Sequence, residues 1–158
     1  MTCILNAYSA NKARLLHSTL LVFSTSIAAV YNRSTIVSQK KKILIVDDSP
    51  TDRQFFMETL SKNGFQCVTA ESGDEAIAKS KSEKPDLILM DVVMPGTNGF
   101  QATRAITRDE ATKHIPVIVV TSKNQETDRV WGMRQGAKDY LVKPIDAKEL
   151  LAKIAAIK

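Results

Sequence analysis

Acidic residues are missing from the first 42 positions, which carry six basic ones: Lys12, Arg14, Arg33, Lys40, Lys41 and Lys42. The net charge of +5 therefore belongs to this leading segment, because residues 43–158 hold 16 bases against 17 acids. The folded part need not meet a polyanion, and no nucleic-acid partner is expected. Cysteine is scarce too: Cys3 lies in the leading segment and Cys67 in an apparent strand. Two cysteines so placed give neither a disulfide framework nor a zinc spacing. His17 and His114 are far apart and have no Cys or carboxylate companions, so they read as surface or structural. A reducing, cytoplasmic setting is consistent with this usage.

Long apolar runs are also absent. Leu15–Tyr31 is the one candidate span, yet it has 17 residues and six of them are His, Ser or Thr. That is short and polar for a membrane crossing. Lys12, Arg14 and the small-x-small Ser26–Ile27–Ala28 give it a faint likeness to a signal peptide. The expectation is instead that residues 1–41 are a disordered extension or a mis-assigned start, with Val37 a candidate alternative start. No membrane association is expected. Phosphate-binding signatures of the G-x-x-x-x-G-K-[ST] and G-x-G-x-x-G types are missing, so no nucleotide site is expected.

Regular patterning begins at Lys42. Five short apolar runs, Ile43–Val46, Cys67–Ala70, Leu87–Met90, Val117–Val120 and Tyr140–Val142, read as strands. Helical spacing follows each one. Ser49 suits a cap with Pro50 at the first position, Asp52 completing a capping box and Gly64 terminating the helix. Ser72 with Glu75 makes a second box. Helical spacing resumes after Gly99, and a fourth helix runs from Gln125 to Gln135, stopping at Gly136. Asp146 with Glu149 starts the last, whose stripe is Leu150, Leu151, Ile154 and Ile157. Phe55, Phe56 and Leu60 read as first-helix packing and Cys67 as core. Trp131 and Met133 are open between a partner-facing patch and packing.

Strand–helix units repeated five times, with strands apolar along their length, predict an α/β fold: a parallel sheet with helices on both faces. Function in such sheets gathers beyond the carboxyl ends of the strands. The residues there are Asp47 and Asp48 after the first strand, Asp91 after the third, Thr121 after the fourth and Lys143 after the fifth. Carboxylates sharing one sheet edge repel each other by on the order of several kcal/mol. A divalent cation relieves this, and an all-oxygen set favours Mg²⁺ over zinc. Lys143 adds an ammonium and Thr121 a hydroxyl. Together they form a receptor for a phosphoryl group, with Asp91 as nucleophile.

The stretches "ILIVDDS" (Ile43–Ser49), "LILMDVVMPGTNGF" (Leu87–Phe100), "VIVVTS" (Val117–Ser122) and "GAKDYLVKPI" (Gly136–Ile145) resemble the receiver domain of two-component response regulators, the CheY type. The likeness covers residues 42–158. "DDSPTDRQ", "MPGTNGFQATR" and "TSKNQETDRVWGMRQGAKDYLVKP" are most similar to single-domain regulators of type IV pilus twitching motility. The resemblance implies a flavodoxin-like sheet of order 2-1-3-4-5. It implies that Asp91 accepts a phosphoryl group from a histidine kinase of the CheA kind. Asp48 would ligate Mg²⁺ directly and Asp47 largely through water, with Asp91 and the Val93 carbonyl completing the set. Lys143 would contact the phosphoryl oxygens, and the Lys143–Pro144 peptide would be cis. Thr121 and Tyr140 would form the switch that remodels a protein-binding face. Val93 and Lys123 would set the lifetime of the phosphate.

A monomer is expected, with a downstream protein target or a role as phosphate sink. The last helix fills the chain to residue 158, so no DNA-binding output domain is expected. The competing readings are a metal-dependent aspartyl-phosphate phosphatase, a phosphorylation-independent binding module and a membrane-tethered receiver. Against the phosphatase, Val93 stands where such enzymes commonly place a second aspartate.

Overall fold

A computed structural model describes residues 40–122 and 126–157, without the side chains of residues 126–128. The extension, residues 1–39, and Lys123 lie outside the described residues. Ten elements alternate strictly: β1 (Lys42–Val46), α1 (Pro50–Lys62), β2 (Gln66–Ala70), α2 (Gly73–Glu83), β3 (Leu87–Asp91), α3 (Gly99–Arg108), β4 (Val117–Thr121), α4 (Glu126–Arg134), β5 (Asp139–Val142) and α5 (Ala147–Ala156). The five strands form one parallel sheet in the order β2-β1-β3-β4-β5.

Strand side chains alternate between the two faces, and each face finds its own helices. Ile43, Ile45, Leu87, Leu89, Ile118, Val120 and Leu141 pack with Phe56 and Leu60 of α1 and with Leu150 and Ile154 of α5. Leu44, Val46, Ile88, Met90 and Val117 pack on the opposite face with Ala76 of α2 and Ala102 and Ile106 of α3. Burial of both faces explains why the central strands read as unbroken apolar runs. The edge strand β2 is covered less, and Cys67 is only half-buried at the rim of the first cluster. Phe55 departs from expectation: it lies beside the buried Phe56 yet is 40% exposed.

The caps reveal where local patterning misled. Ser49 does accept from the Asp52 N–H at 3.3 Å, but the Asp52 carboxylate does not return to close a box; it pairs with Lys143. Glu75 receives the Glu71 N–H at 2.7 Å rather than that of Ser72. The reciprocal capping box in the described structure belongs to Asn98 and Gln101, with bonds of 3.0 and 3.2 Å. That box starts α3 directly behind the phosphoacceptor candidate. Gly99 is needed there because a β-carbon would strike the Asp91 carbonyl and the Val92 backbone. We expect Gly99→Ala to displace the β3–α3 turn and lower stability by about 2–4 kcal/mol. Urea unfolding followed by circular dichroism measures this, and an unchanged midpoint would contradict the close approach.

Candidate functional site

Register brings the site together. Val46 pairs with Met90, so Asp47 and Asp91, one residue further on, leave neighbouring strands at one level. Asp91 pairs with Val120 and Thr121 with Val142, which places Thr121 and Lys143 at the same edge. The ladder continues past the strand ends: Asp47 N–H donates to the Ala70 carbonyl at 3.2 Å, Val92 N–H to that of Val120 at 2.9 Å and Lys143 N–H to that of Thr121 at 2.8 Å. These bonds fix the backbone from which the functional side chains project. Alternation then puts residues 47, 91 and 143 in step with Ile45, Leu89 and Leu141, on the face that α1 covers.

Lys143 is the hub. Its Nζ donates to Asp47 Oδ2 at 2.7 Å and to Asp52 Oδ2 at 2.7 Å, and lies 3.1 Å from Asp91 Oδ1. Asp47 and Asp91 are 1% and 3% exposed, so each depends on such a partner. Asp47 also accepts the Ser49 N–H at Oδ1, 2.9 Å away. Arg53, anchored to Glu71 at 2.6 Å, donates to the Asp47 carbonyl at 2.8 Å and braces the loop from behind. Burial pushes the Asp91 carboxyl up to about 6; Lys143 opposes that shift, Asp47 reinforces it, and the Val93 N–H, donating to the carboxylate, opposes it. For Lys143, burial pulls the pKa down, but hydrogen bonds to Asp47 and Asp52 and the charge of Asp91 outweigh it, and the net shift is upward. The ammonium is therefore charged at any physiological pH.

Carboxylate oxygens of Asp47, Asp48 and Asp91 lie within 4.8 Å of one another, and Asp48 is exposed. Ligand oxygens around an octahedral magnesium ion are about 3–4 Å apart, so the set suits a hard divalent cation with little adjustment. One lysine facing this many carboxylates leaves a deficit of positive charge, which fits the same conclusion. Val93 is 51% exposed and adjoins the opening. Thr121 is buried at the end of β4. Tyr140 is half-buried against Val92, Val119 and Ala137, with the Arg129 guanidinium 5.4 Å and the Lys153 ammonium 5.5 Å from its ring centre. The Lys143–Pro144 peptide is cis. Trp131 and Met133 are exposed on α4, which counts against their packing on the sheet. Asp52 and Arg53 were missed by sequence reasoning; their positions in the first turn of α1, over the face that carries Lys143, were the available signal.

The sequence pattern of the response regulator receiver domain matches residues 43–155, and the chain belongs to that family. It is 57% identical to Protein PilH of Pseudomonas aeruginosa over 116 residues, 73% of this chain and 96% of that protein. Among solved structures it is similar to chemotaxis protein CheY4 of Vibrio cholerae, with a TM-score of 0.72 and 33% identity over 75% of this chain and 99% of that one. A second is the receiver domain of a sensor histidine kinase from Pseudomonas aeruginosa, with a magnesium ion coordinated in the active site cleft. It has a TM-score of 0.68 and 30% identity, covering 73% of this chain and 94% of that one.

The raised Asp91 pKa fixes the sign of a stability effect. The folded state holds this proton more tightly than the unfolded chain, whose ordinary value is 3.8. Ionised Asp91 therefore opposes folding progressively as pH rises from about 4 to about 6, and fully above that. Without added metal, Asp91→Asn is expected to be more stable than the parent by ~1–2 kcal/mol at pH 8, with the gain vanishing below pH ~4. Thermal unfolding across that range tests it; a gain independent of pH would refute the assignment.

Proposed function

We propose that residues 42–158 act as a single-domain, phosphoaccepting response regulator, with Asp91 taking a phosphoryl group from a phosphohistidine on a CheA-like kinase. The observation that carries this reading is the convergence of Asp91 with Lys143 and with the acidic pair Asp47 and Asp48. An Asp91 oxygen attacks phosphorus in line. The phosphorus–nitrogen bond breaks as the phosphorus–oxygen bond forms, and the imidazole leaves with its electron pair and is protonated. Lys143 follows the transferred group and neutralises its oxygens. Thr121, buried at the same sheet edge, is the hydroxyl that would be drawn toward it.

Asp48, Asp91 and the Val93 carbonyl are the residues that would hold magnesium, with Asp47 acting largely through water. When bound, magnesium neutralises charge on the phosphoryl oxygens. Both Asp47 oxygens already accept hydrogen bonds from Lys143 and Ser49, which supports its indirect part. Withdrawal of Thr121 toward the phosphoryl group opens room for Tyr140, whose ring already sits at the margin of a small cluster, to turn inward. That change alters the face formed by α4, β5 and α5 and so the affinity for a downstream protein.

Similarity to PilH supports a role in type IV pilus or chemotaxis-type control, by a changed surface or by draining phosphate from the kinase. The chain then works as a monomer in the cytoplasm and turns over no external substrate. No helix among the described residues is long and apolar enough to cross a membrane. The phosphatase reading is weaker, because the exposed Val93 offers no acid or base where one is needed.

Incubation with a small phosphodonor and Mg²⁺ is expected to label the wild type and not Asp91→Asn, with labelling lost on chelation by EDTA. Equal labelling of the two proteins overturns the proposal. A second expectation concerns lifetime. Val93 cannot hydrogen-bond an attacking water, so Val93→Asn is expected to shed phosphate about 2–10-fold faster. A phosphate-release assay giving equal rates would refute it.

A further inference from the structure

We propose that Asp52 is a positioning residue that competes for the Lys143 ammonium, holding it on the α1 side of the cleft and weakening the site's grip on a phosphoryl group. This rests on the phosphoacceptor reading above and goes beyond it, since Asp52 is not one of the residues that reading uses.

An ammonium has three N–H donors. In this structure they face Asp47 at 2.7 Å, Asp52 at 2.7 Å and Asp91 at 3.1 Å. The Asp91 contact is the longest of the three, so Lys143 leans away from the nucleophile. A phosphoryl group on Asp91 needs at least one of those donors, and an existing partner must yield. Asp47 is almost fully buried, and leaving it without a partner is costly. The Asp52 side chain is 41% exposed and can return to water.

Asp52 also stands on the rim of an open groove of about 510 Å³, lined with Phe55, Phe56, Lys143, Pro144 and Ile145. Its release therefore meets no steric barrier. Its charge acts against the site in two ways: it occupies a donor, and it adds a negative charge within reach of the phosphoryl oxygens. The helix cap does not depend on it, because Ser49 accepts the Asp52 backbone N–H and not the carboxylate.

The test uses beryllofluoride with Mg²⁺, a stable mimic of a bound phosphoryl group, titrated into the full chain and followed by fluorine NMR. Asp52→Asn is expected to bind it about two- to fivefold more tightly than wild type. Asp52→Glu, which keeps the charge, is expected to restore weaker binding. Glu58→Gln removes an acid elsewhere on α1 and is expected to leave affinity unchanged. Unchanged or weaker binding by Asp52→Asn, or an equal gain in Glu58→Gln, overturns the role assigned to Asp52. Failure of the wild type itself to bind beryllofluoride, with thermal unfolding showing it folded, overturns the phosphoacceptor reading instead. Binding that depends on Asp91 but ignores Asp52 sinks only the present proposal.

Discussion

The site depends on a single ammonium serving more carboxylates than it can balance. Asp47 and Asp91 are withdrawn from water by the sheet and its helices, and neither has the solvation that an isolated carboxylate needs. Lys143 offsets part of that cost through contacts of 2.7 and 3.1 Å. Asp48 and Asp52 add further negative charge at the mouth. The remaining deficit of positive charge is what a divalent cation would offset at this acidic cluster.

What brings these charges together is the geometry of a parallel sheet. Strands with apolar residues on both faces stack in register, and their ends rise to nearly one level. The odd-numbered side chains of β1, β3 and β5 share the face covered by α1 and α5. Residues 47, 91 and 143 continue that series beyond the last packed layer. The same parity that buries Ile45, Leu89 and Leu141 thus aims two carboxylates and an amine at each other. Core and site are successive layers of one stack, so a change in strand register would lose both.

This explains which features were legible in the sequence. Strand–helix alternation is written as runs of apolar residues punctuated by caps and glycines, and it located all ten elements, with bounds to within about two residues except for the end of α3, which it left open. Asp47, Asp48, Asp91, Thr121 and Lys143 were legible because strand ends carry chemistry in this architecture. Asp52 was not. Its spacing from Ser49 satisfies a capping box, and local pattern cannot reveal that an ammonium 91 positions away competes for the same carboxylate. Glu75 failed for a related reason, bonding one residue away from the expected donor. Phe55 shows the limit of periodicity: it and Phe56 are adjacent on the helix, yet only Phe56 is buried, and nothing in the spacing alone says which turns outward. Arg53 acts on a backbone carbonyl, so its place in the first turn of α1 was the one hint of its part.

Exposure divides the site into a fixed part and an adjustable part. Asp47 and Asp91 are held at the sheet edge, where movement would break ladder hydrogen bonds or strand a buried charge. Asp48, Asp52 and Val93 border solvent and can change partners cheaply. Phosphorylation as proposed would convert one carboxylate into a group carrying more negative charge, so the hydrogen bonds around Lys143 would have to be redistributed. The redistribution must fall on the adjustable side, since the buried acids have nowhere else to turn. On the phosphoacceptor reading, rearrangement would begin at the solvent edge, beside α1 and the end of β5, the strand that carries Tyr140. A fixed floor with an exposed rim would let one covalent change alter a surface without disturbing the core.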